Sequence, residues 1–312
     1  MKTQVSHLFT YGLLLFVMVL WGVNVVMLKV LVDHLPPTTM TAVRVFTAGI
    51  IVLFILIFQR QLRTLTKTEW KFTIIAMVFG VVGHHFFLTL GLTATTASNA
   101  SLILALLPLT TSVLAMIFLH DQLTKLRLLG ILLGIIGVSV IIFQGADSLG
   151  GVNVGDLYIF IAMFVQAISF IYIKKATETL DSKQMTGIML VFGSLLLFGL
   201  SLIIEPHGVS GLGEGTAWIW LLFFTSAILA TAVGHMLYNS AIHKLGAGQT
   251  AIFNNLVPFF GVISSAIFLG EAIVMTHIFG FLFIVIGVLL GTGYMDEKLV
   301  RKINKRKKAE SM

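Results

Sequence analysis

Ten apolar segments follow one another along this chain, joined by connections too short to hold a folded domain. They run near residues 8–32, 38–59, 71–92, 97–119, 126–144, 155–175, 184–204, 217–241, 249–269 and 273–294, and are numbered segments 1 to 10 in that order. About 20 apolar residues cross a hydrocarbon core roughly 30 Å thick, and most of these segments reach that length. Backbone N–H and C=O groups in lipid have no water to bond, so each segment must satisfy them internally, as a helix. A mean hydropathy of +1.02, with 11% charged residues, leaves too little polar surface to clothe a soluble domain. The expected fold class is an all-α integral membrane protein. Segment 1 is too long for a signal-peptide core and lacks a small-residue cleavage site, so it is expected to stay in the mature protein. Without cysteine there are no disulfides, thiolate metal sites or cysteine nucleophiles.

The second half of the chain repeats the first. Moving residues 85–143 forward by 150 sets His85 on His235, Pro108 on Pro258, Gly130 on Gly280 and Gly137 on Gly287, without a gap. Ile117-Phe118-Leu119 falls on Ile267-Phe268-Leu269, and Asp121 on Glu271. Leu-on-Leu matches are cheap in a chain that is 57% hydrophobic; matched Pro, Gly, His and acid positions are not. Earlier in the chain the offset is 145, with Lys29 on Lys174, Asp33 on Glu178 and Leu35 on Leu180. The difference falls in the loop after segment 7, where Gly211, Gly213 and Gly215 tolerate added length. Each half holds five segments, an odd number, so the copies cross the membrane in opposite directions, the plan of many secondary transporters. The expected architecture is ten transmembrane helices built as two inverted five-helix repeats, 1–145 and 146–297, followed by a basic tail over 298–312. The halves interlock as one body.

Charge orients the chain. With both termini cytoplasmic, all of the 20 Lys and Arg except Lys29 and Arg44 fall on inside segments and tails. The connections 93–96, 145–154 and 205–216 carry none, and hold Asp147, Glu205 and Glu214. This is the positive-inside asymmetry of a multi-pass protein of the cell membrane. The tail RKINKRKK at 301–308 reads as a topology anchor, or as a contact to anionic lipid headgroups worth about 1 kcal/mol per basic residue. No reading surface or aromatic platform accompanies it, so nucleic acid is not an expected partner.

From Trp21 to Gly49 the chain reads WGVNVVMLKVLVDHLPPTTMTAVRVFTAG. The pattern WG-x-N-x4-K, a proline-containing turn and an Arg opening segment 2 resembles the EamA family of the drug/metabolite transporter superfamily. FLHDQLTKLRLLGILLGIIGV at 118–138 and FLGEAIVMTHIFGFLFIVIGV at 268–288 are similar to that family's acid, short turn and glycine-spaced helix. The chain departs from the pattern at His120, which stands before Asp121 where the family has Gly. The resemblance covers nearly the whole chain. It implies a ten-helix carrier of small metabolites, with segments 5 and 10 peripheral and the others lining a central cavity.

Every Asp and Glu falls in a connection or at a segment end, so no carboxylate is expected at the midplane. A charge there costs about 2.5–3.5 kcal/mol on insertion scales. The ionisable candidates are Arg44, His84, His85 and His235. Arg44 either snorkels outward as an anchor or faces the bundle and meets an anionic group or a carbonyl. Lys29 and Asp33, four apart, read as an interfacial pair. His85 and His235 are expected at matching depths on opposite sides of the midplane, each gating one end of a pathway or bonding substrate. A packed histidine bonded to a carbonyl is the structural alternative. His84, turned about 100° from His85, is expected to face away from that cavity.

Asn24, Asn99, Gln166, Tyr238, Asn239, Asn254 and Asn255 make up the expected polar lining; singly, such groups serve as interhelical glue. Trp21 lies away from the interfacial belt and reads as a cavity wall or a packing residue. Pro108 and Pro258 each remove an N–H and clash with the carbonyl four residues back, at Leu104 and Asn254. They read as a pair of hinges, or as static kinks that shape the cavity. Gly130, Gly134, Gly137, Gly280 and Gly287 permit close helix contact, between the repeats or between the subunits of a homodimer formed through segments 5 and 10.

There is no HExxH, G-x-S-x-G or P-loop pattern, and a Ser-His-acid triad would lack an acid at depth, so neither an enzyme nor a cofactor or metal is expected. The reading is a secondary transporter, an exporter or exchanger of small polar metabolites such as amino acids, working by alternating access through a central cavity between the repeats. A lipid flippase and an intramembrane enzyme are the alternatives.

Overall fold

Residues 2–119, 124–144, 153–245, 253–254 and 256–291 are described in the computed structural model, and they form helices with no strand among them. In chain order these are α1 (Lys2–His34), α2 (Pro37–Phe58), α3 (Lys67–Met77), α4 (His84–Ala94), α5 (Ala97–Leu104), α6 (Leu107–Leu119) and α7 (Lys125–Gln144). The second half supplies α8 (Val154–Ala176), α9 (Ser182–Ile204), α10 (Gly208–Gly211), α11 (Ala217–Thr225), α12 (Gly234–Leu245), α13 (Leu256–Leu269) and α14 (Met275–Gly291). Two π turns, Val78–Gly83 and Ser226–Val233, join α3 to α4 and α11 to α12.

Among the described residues, seven stretches are long and apolar enough to cross a membrane: Phe9–His34, Pro37–Phe58, Lys67–Ala94, Ala97–Leu114, Val154–Ala176, Ser182–Ile204 and Ala217–Tyr238. Three shorter apolar helices, Leu128–Ile141, Leu256–Leu269 and Met275–Leu290, fall within segments 5, 9 and 10. Large apolar side chains such as Phe54, Phe58, Leu195, Leu196, Ile203, Leu221 and Leu282 stand exposed on the outside. A soluble monomer does not carry so much exposed apolar surface; a chain solvated by lipid does. This is a membrane protein.

The ends of the helices are fixed by polar side chains, because their terminal N–H groups have no partner within the helix. Thr66 and Glu69 form a reciprocal capping box at the start of α3. Asn153, Asp181 and Thr216 cap α8, α9 and α11. Glu205, at the end of α9, accepts from the N–H groups of Thr38 and Thr39 at 2.8 Å each and so closes the start of α2. Arg63 donates to Glu69 and to the carbonyl of Thr179, tying the α2–α3 loop to the α8–α9 connection. The carboxylate of Glu69 holds that guanidinium above its usual pKa. Lys29 pairs with Asp33 at 3.2 Å, as expected, and also donates to the carbonyl of Leu92 at 2.8 Å.

Small residues bring helices together. Gly49 of α2 lies against Leu190 and Val191 of α9. Gly137 faces Gly280 and Ile284, and Gly287 faces Gly130 and Gly134, so the glycines of α7 and α14 meet one another within one chain. Segments 4 and 9 do not simply kink at their prolines. Segment 4 is interrupted at Ala105–Leu106, and α6 starts afresh with Pro108 in its first turn. Segment 9 has Asn254 in a turn before α13, with Pro258 again in the first turn. A proline lacks an N–H, and the first turn of a helix is where that loss is harmless. The carbonyl of Asn254 is repaired by the N–H of Val257 at 3.1 Å.

Candidate polar site around Arg44

Arg44, on the second turn of α2, is 1% exposed and points inward, so the anchor reading does not hold. Its Nη1 donates to the hydroxyls of Ser226 at 3.2 Å and Thr231 at 3.1 Å, both in the second π turn. The Thr231 hydroxyl in turn donates to the carbonyl of Ser226 at 3.1 Å, and the Ser226 hydroxyl to Oδ1 of Asn24 on α1 at 2.6 Å. A π turn winds wider than an α-helix, and such turns recur at functional sites. Here the turn supplies both hydroxyls that hold the guanidinium.

Trp21, one turn before Asn24, donates its indole N–H to the carbonyl of Ala230 at 2.9 Å. Its ring centroid is 5.1 Å from that of His235 and 5.1 Å from that of Tyr238. His235 Nδ1 pairs with the carbonyl of Thr231 at 2.7 Å. The Tyr238 hydroxyl accepts from Nδ2 of Asn254 at 2.8 Å; the break before α13 puts that amide in a turn. Trp21, Asn24, Arg44, His235, Tyr238 and Asn254 are thus one connected set.

The other π turn lies against α8, where Ser169 donates to the carbonyl of Ala76 at 2.8 Å. His84, which follows that turn, pairs through Nδ1 with the carbonyl of Ala162 at 3.0 Å, one helical turn from Gln166. The rings of His84 and His85 meet edge to face with centroids 5.0 Å apart. The 100° step separates the Cβ directions but not the ring tips. His235 and Arg44 both bond to Thr231, and His85 stands one helical turn from Thr89, whose hydroxyl meets that of Thr41, one turn before Arg44, at 2.9 Å.

Asn99 belongs elsewhere. It sits in the first turn of α5, where Nδ2 donates to Oδ2 of Asp156 at 3.2 Å and Oδ1 pairs with Nε2 of His277 at 3.1 Å. Asp156, 1% exposed, also accepts from the hydroxyl of Thr95. Glu271 accepts from the N–H groups of Ala97 and Ser98, at 2.9 Å each. This second cluster ties together the N-terminal ends of α5, α8 and α14. Carboxylates are favourable there because helix N-termini carry partial positive charge. Asn255 and Asp121 lie outside the described residues, as does the side chain of Asn239.

Several buried polar atoms lack a hydrogen-bond partner among the described residues: Nε of Arg44, Nδ1 of His85, Oε1 of Gln166, Oδ1 of Asn254 and Oγ of Ser101. Each such atom costs about 1–3 kcal/mol if left dry. Others are the hydroxyls of Thr38, Thr73 and Thr276 and Nδ1 of His277; among them all, Nε of Arg44 alone belongs to a fixed charge, and that is where water or a solute would most improve the bonding. A recess of about 460 Å³ between α6, α7 and α8 is different in kind, lined by Leu106, Leu109, Val113, Ile131, Ile135 and Phe160 with almost no polar surface. Ser226 and Thr231 gave no signal in the sequence, since hydroxyls are common in apolar helices.

The model of the EamA-like transporter family matches residues 8–143 and 153–292. The chain is 29% identical to a Bacillus subtilis protein described as "Uncharacterized transporter YyaM", over 92% of this chain and 95% of that one. It is 25% identical to the "Probable amino-acid metabolite efflux pump" of Salmonella typhimurium, over 89% and 93% of the two chains. A protein known from a crystal structure shares the fold with a TM-score of 0.62 at 15% identity, covering 92% of this chain and 97% of that one.

Proposed function

The chain belongs to the EamA-like transporter family, as a transporter and not an enzyme, and from that premise we propose a secondary exporter or exchanger of small polar metabolites such as amino acids. The observation that carries this reading is Arg44 itself, a buried guanidinium held by two neutral hydroxyls and with Nε unpartnered among the described residues, in a chain otherwise clothed in apolar residues. Trp21, Asn24, Gln166, His85, His235, Tyr238 and Asn254 line the solute's path in this reading. Alternating access is supported by matched irregularities in the two halves. The π turns end at Gly83 and Val233, 150 residues apart, and the helix breaks precede Pro108 and Pro258, also 150 apart. With the two separate family matches, these features favour ten crossings in two inverted repeats, with Pro108 and Pro258 as hinges. A homodimer through α7 and α14 would use their exposed faces, such as Leu128, Leu132 and Leu282, because their glycines are engaged within the chain.

The test is flux in vesicles reconstituted with the full chain. At least one labelled solute from a panel of amino acids and organic acids is expected to cross, with no stimulation by a sodium gradient at constant pH and potential, since the ionisable group at the site is the cation Arg44. Sodium-driven uptake would overturn the coupling, and lipid scrambling without solute flux would favour a flippase.

Orientation rests on the distribution of Lys and Arg. Reporters fused after Lys308 and within residues 60–70 are expected to be active only in cytoplasmic form. A signal from the far side at either position would refute both the orientation and the even number of crossings.

A further inference from the structure

We propose that Arg44, with His85 and His235 on the helices that meet it, seats a carboxylate group, and that the solute is a small organic anion and not a zwitterionic amino acid or an amine. The inference rests on the transporter reading and, within small polar metabolites, puts organic anions in place of the amino acids named there as the example.

Arg44 is 1% exposed, and a guanidinium does not lose its proton in a protein. Its hydrogen bonds run from Nη1 to two neutral hydroxyls, and Nε has no partner among the described residues. Neutral hydroxyls do not cancel a buried charge, and removing an ion from water costs more than such bonds return. The ion pairs among the described residues are Lys29 with Asp33 and Arg63 with Glu69; neither includes Arg44. Glu69, Glu205 and Glu271 are committed to helix N-termini, and Asp156 to Thr95 and Asn99. Among the described residues, then, the site is a fixed positive charge without an anion.

A carboxylate supplies what is lacking, since its two oxygens match the fork of a guanidinium. His85 lies one helical turn from Thr89, which meets Thr41, one turn before Arg44; its Nδ1 has no partner among the described residues and is a further donor in the appropriate tautomer. Among the described residues no acid pairs with Arg44 or is otherwise placed to receive an ammonium, and the guanidinium repels one. The unpartnered amide oxygens of Gln166 and Asn254 are suited to a neutral donor such as a solute hydroxyl.

The experiment is calorimetric titration of the purified full chain in detergent with acetate, lactate, succinate, alanine and putrescine, alongside flux of the same solutes in vesicles. At least one of the three anions is expected to bind roughly tenfold or more tightly than alanine and putrescine. Arg44→Lys is expected to weaken that binding about tenfold or more, because an ammonium keeps the charge but not the fork. His85→Gln is expected to weaken it several-fold with an unchanged melting temperature in the absence of solute, and it serves alone if Arg44→Lys does not fold. The proposal is overturned if no anion binds, if alanine or putrescine binds as tightly as the best anion, or if anion affinity is unchanged in the folded variants. Arg44-dependent anion binding without flux of any solute would uphold the site and refute the carrier. Alanine flux without anion binding would do the reverse.

Discussion

Replacing His85 with alanine is expected to lower solute flux roughly tenfold, the equivalent of one lost hydrogen bond to a charged group, while the folded protein reaches the membrane at wild-type yield. The reason is local. Nδ1 of His85 has no partner among the described residues, so truncation forfeits no bond recorded for that nitrogen. His235 occupies the matching position in the other half but is built in differently. Its Nδ1 pairs with the carbonyl of Thr231, and its ring packs on Trp21. His235→Ala should therefore lose stability as well as flux, by about 1–2 kcal/mol for the hydrogen bond and the aromatic contact together. Melting temperature and flux per folded molecule, measured on both variants, separate the two effects. Wild-type flux per molecule in both would remove the histidines from the solute path. Equal loss of stability in both would mean that His85 is a packing residue after all.

That asymmetry marks the limit of what the repeated sequence conveys. Apolar runs located the helices, because a backbone in lipid has no other way to satisfy its polar groups. The prolines located the interruptions of segments 4 and 9, because a missing N–H acts wherever the chain goes. Trp21, Asn24, Arg44, His235, Tyr238 and Asn254 were legible as polar or amphipathic residues deep in apolar segments, and they form one connected set. The π turns were not legible. Their winding is set by what packs against them, and VFGVVG and SAILATAV read as ordinary helix. Missing the turns meant missing Ser226 and Thr231, which hold the guanidinium. Asn99 was grouped with the lining from its residue type. Its partners, Asp156 and His277, come from helix ends 57 and 178 residues away, a proximity that only the tertiary fold creates.

The largest loss of stability is expected at Gly155, which no sequence pattern singled out. A methyl group there would lie 2.5 Å from the carbonyl carbon of Ala94, 2.7 Å from its oxygen and 2.8 Å from the amide nitrogen of Thr95. All three are backbone atoms, so no rotamer change relieves the contact, and the start of α8 must move away from the end of α4. The next residue is Asp156, whose bonds to Thr95 and Asn99 would stretch with that movement. Overpacking typically costs about 1–3 kcal/mol and at times more; this position falls at the upper end, because the obstruction is backbone and a buried carboxylate depends on it. Gly22 is the comparable case at the crossing of α1 and α13, where a methyl would lie 2.6 Å from Cβ of Phe260 and 2.8 Å from the amide nitrogen of Gly261. Gly12 and Gly199 are the controls, with nothing within 4 Å of an added Cβ. Alanine at either should be neutral, or stabilising by up to about 1 kcal/mol through helix propensity. Melting temperature and membrane yield of the four alanine variants rank these effects directly. If Gly155→Ala melted with Gly199→Ala, the close approach of α4 to α8 would be wrong, and with it the positioning of Asp156 beside Thr95 and Asn99.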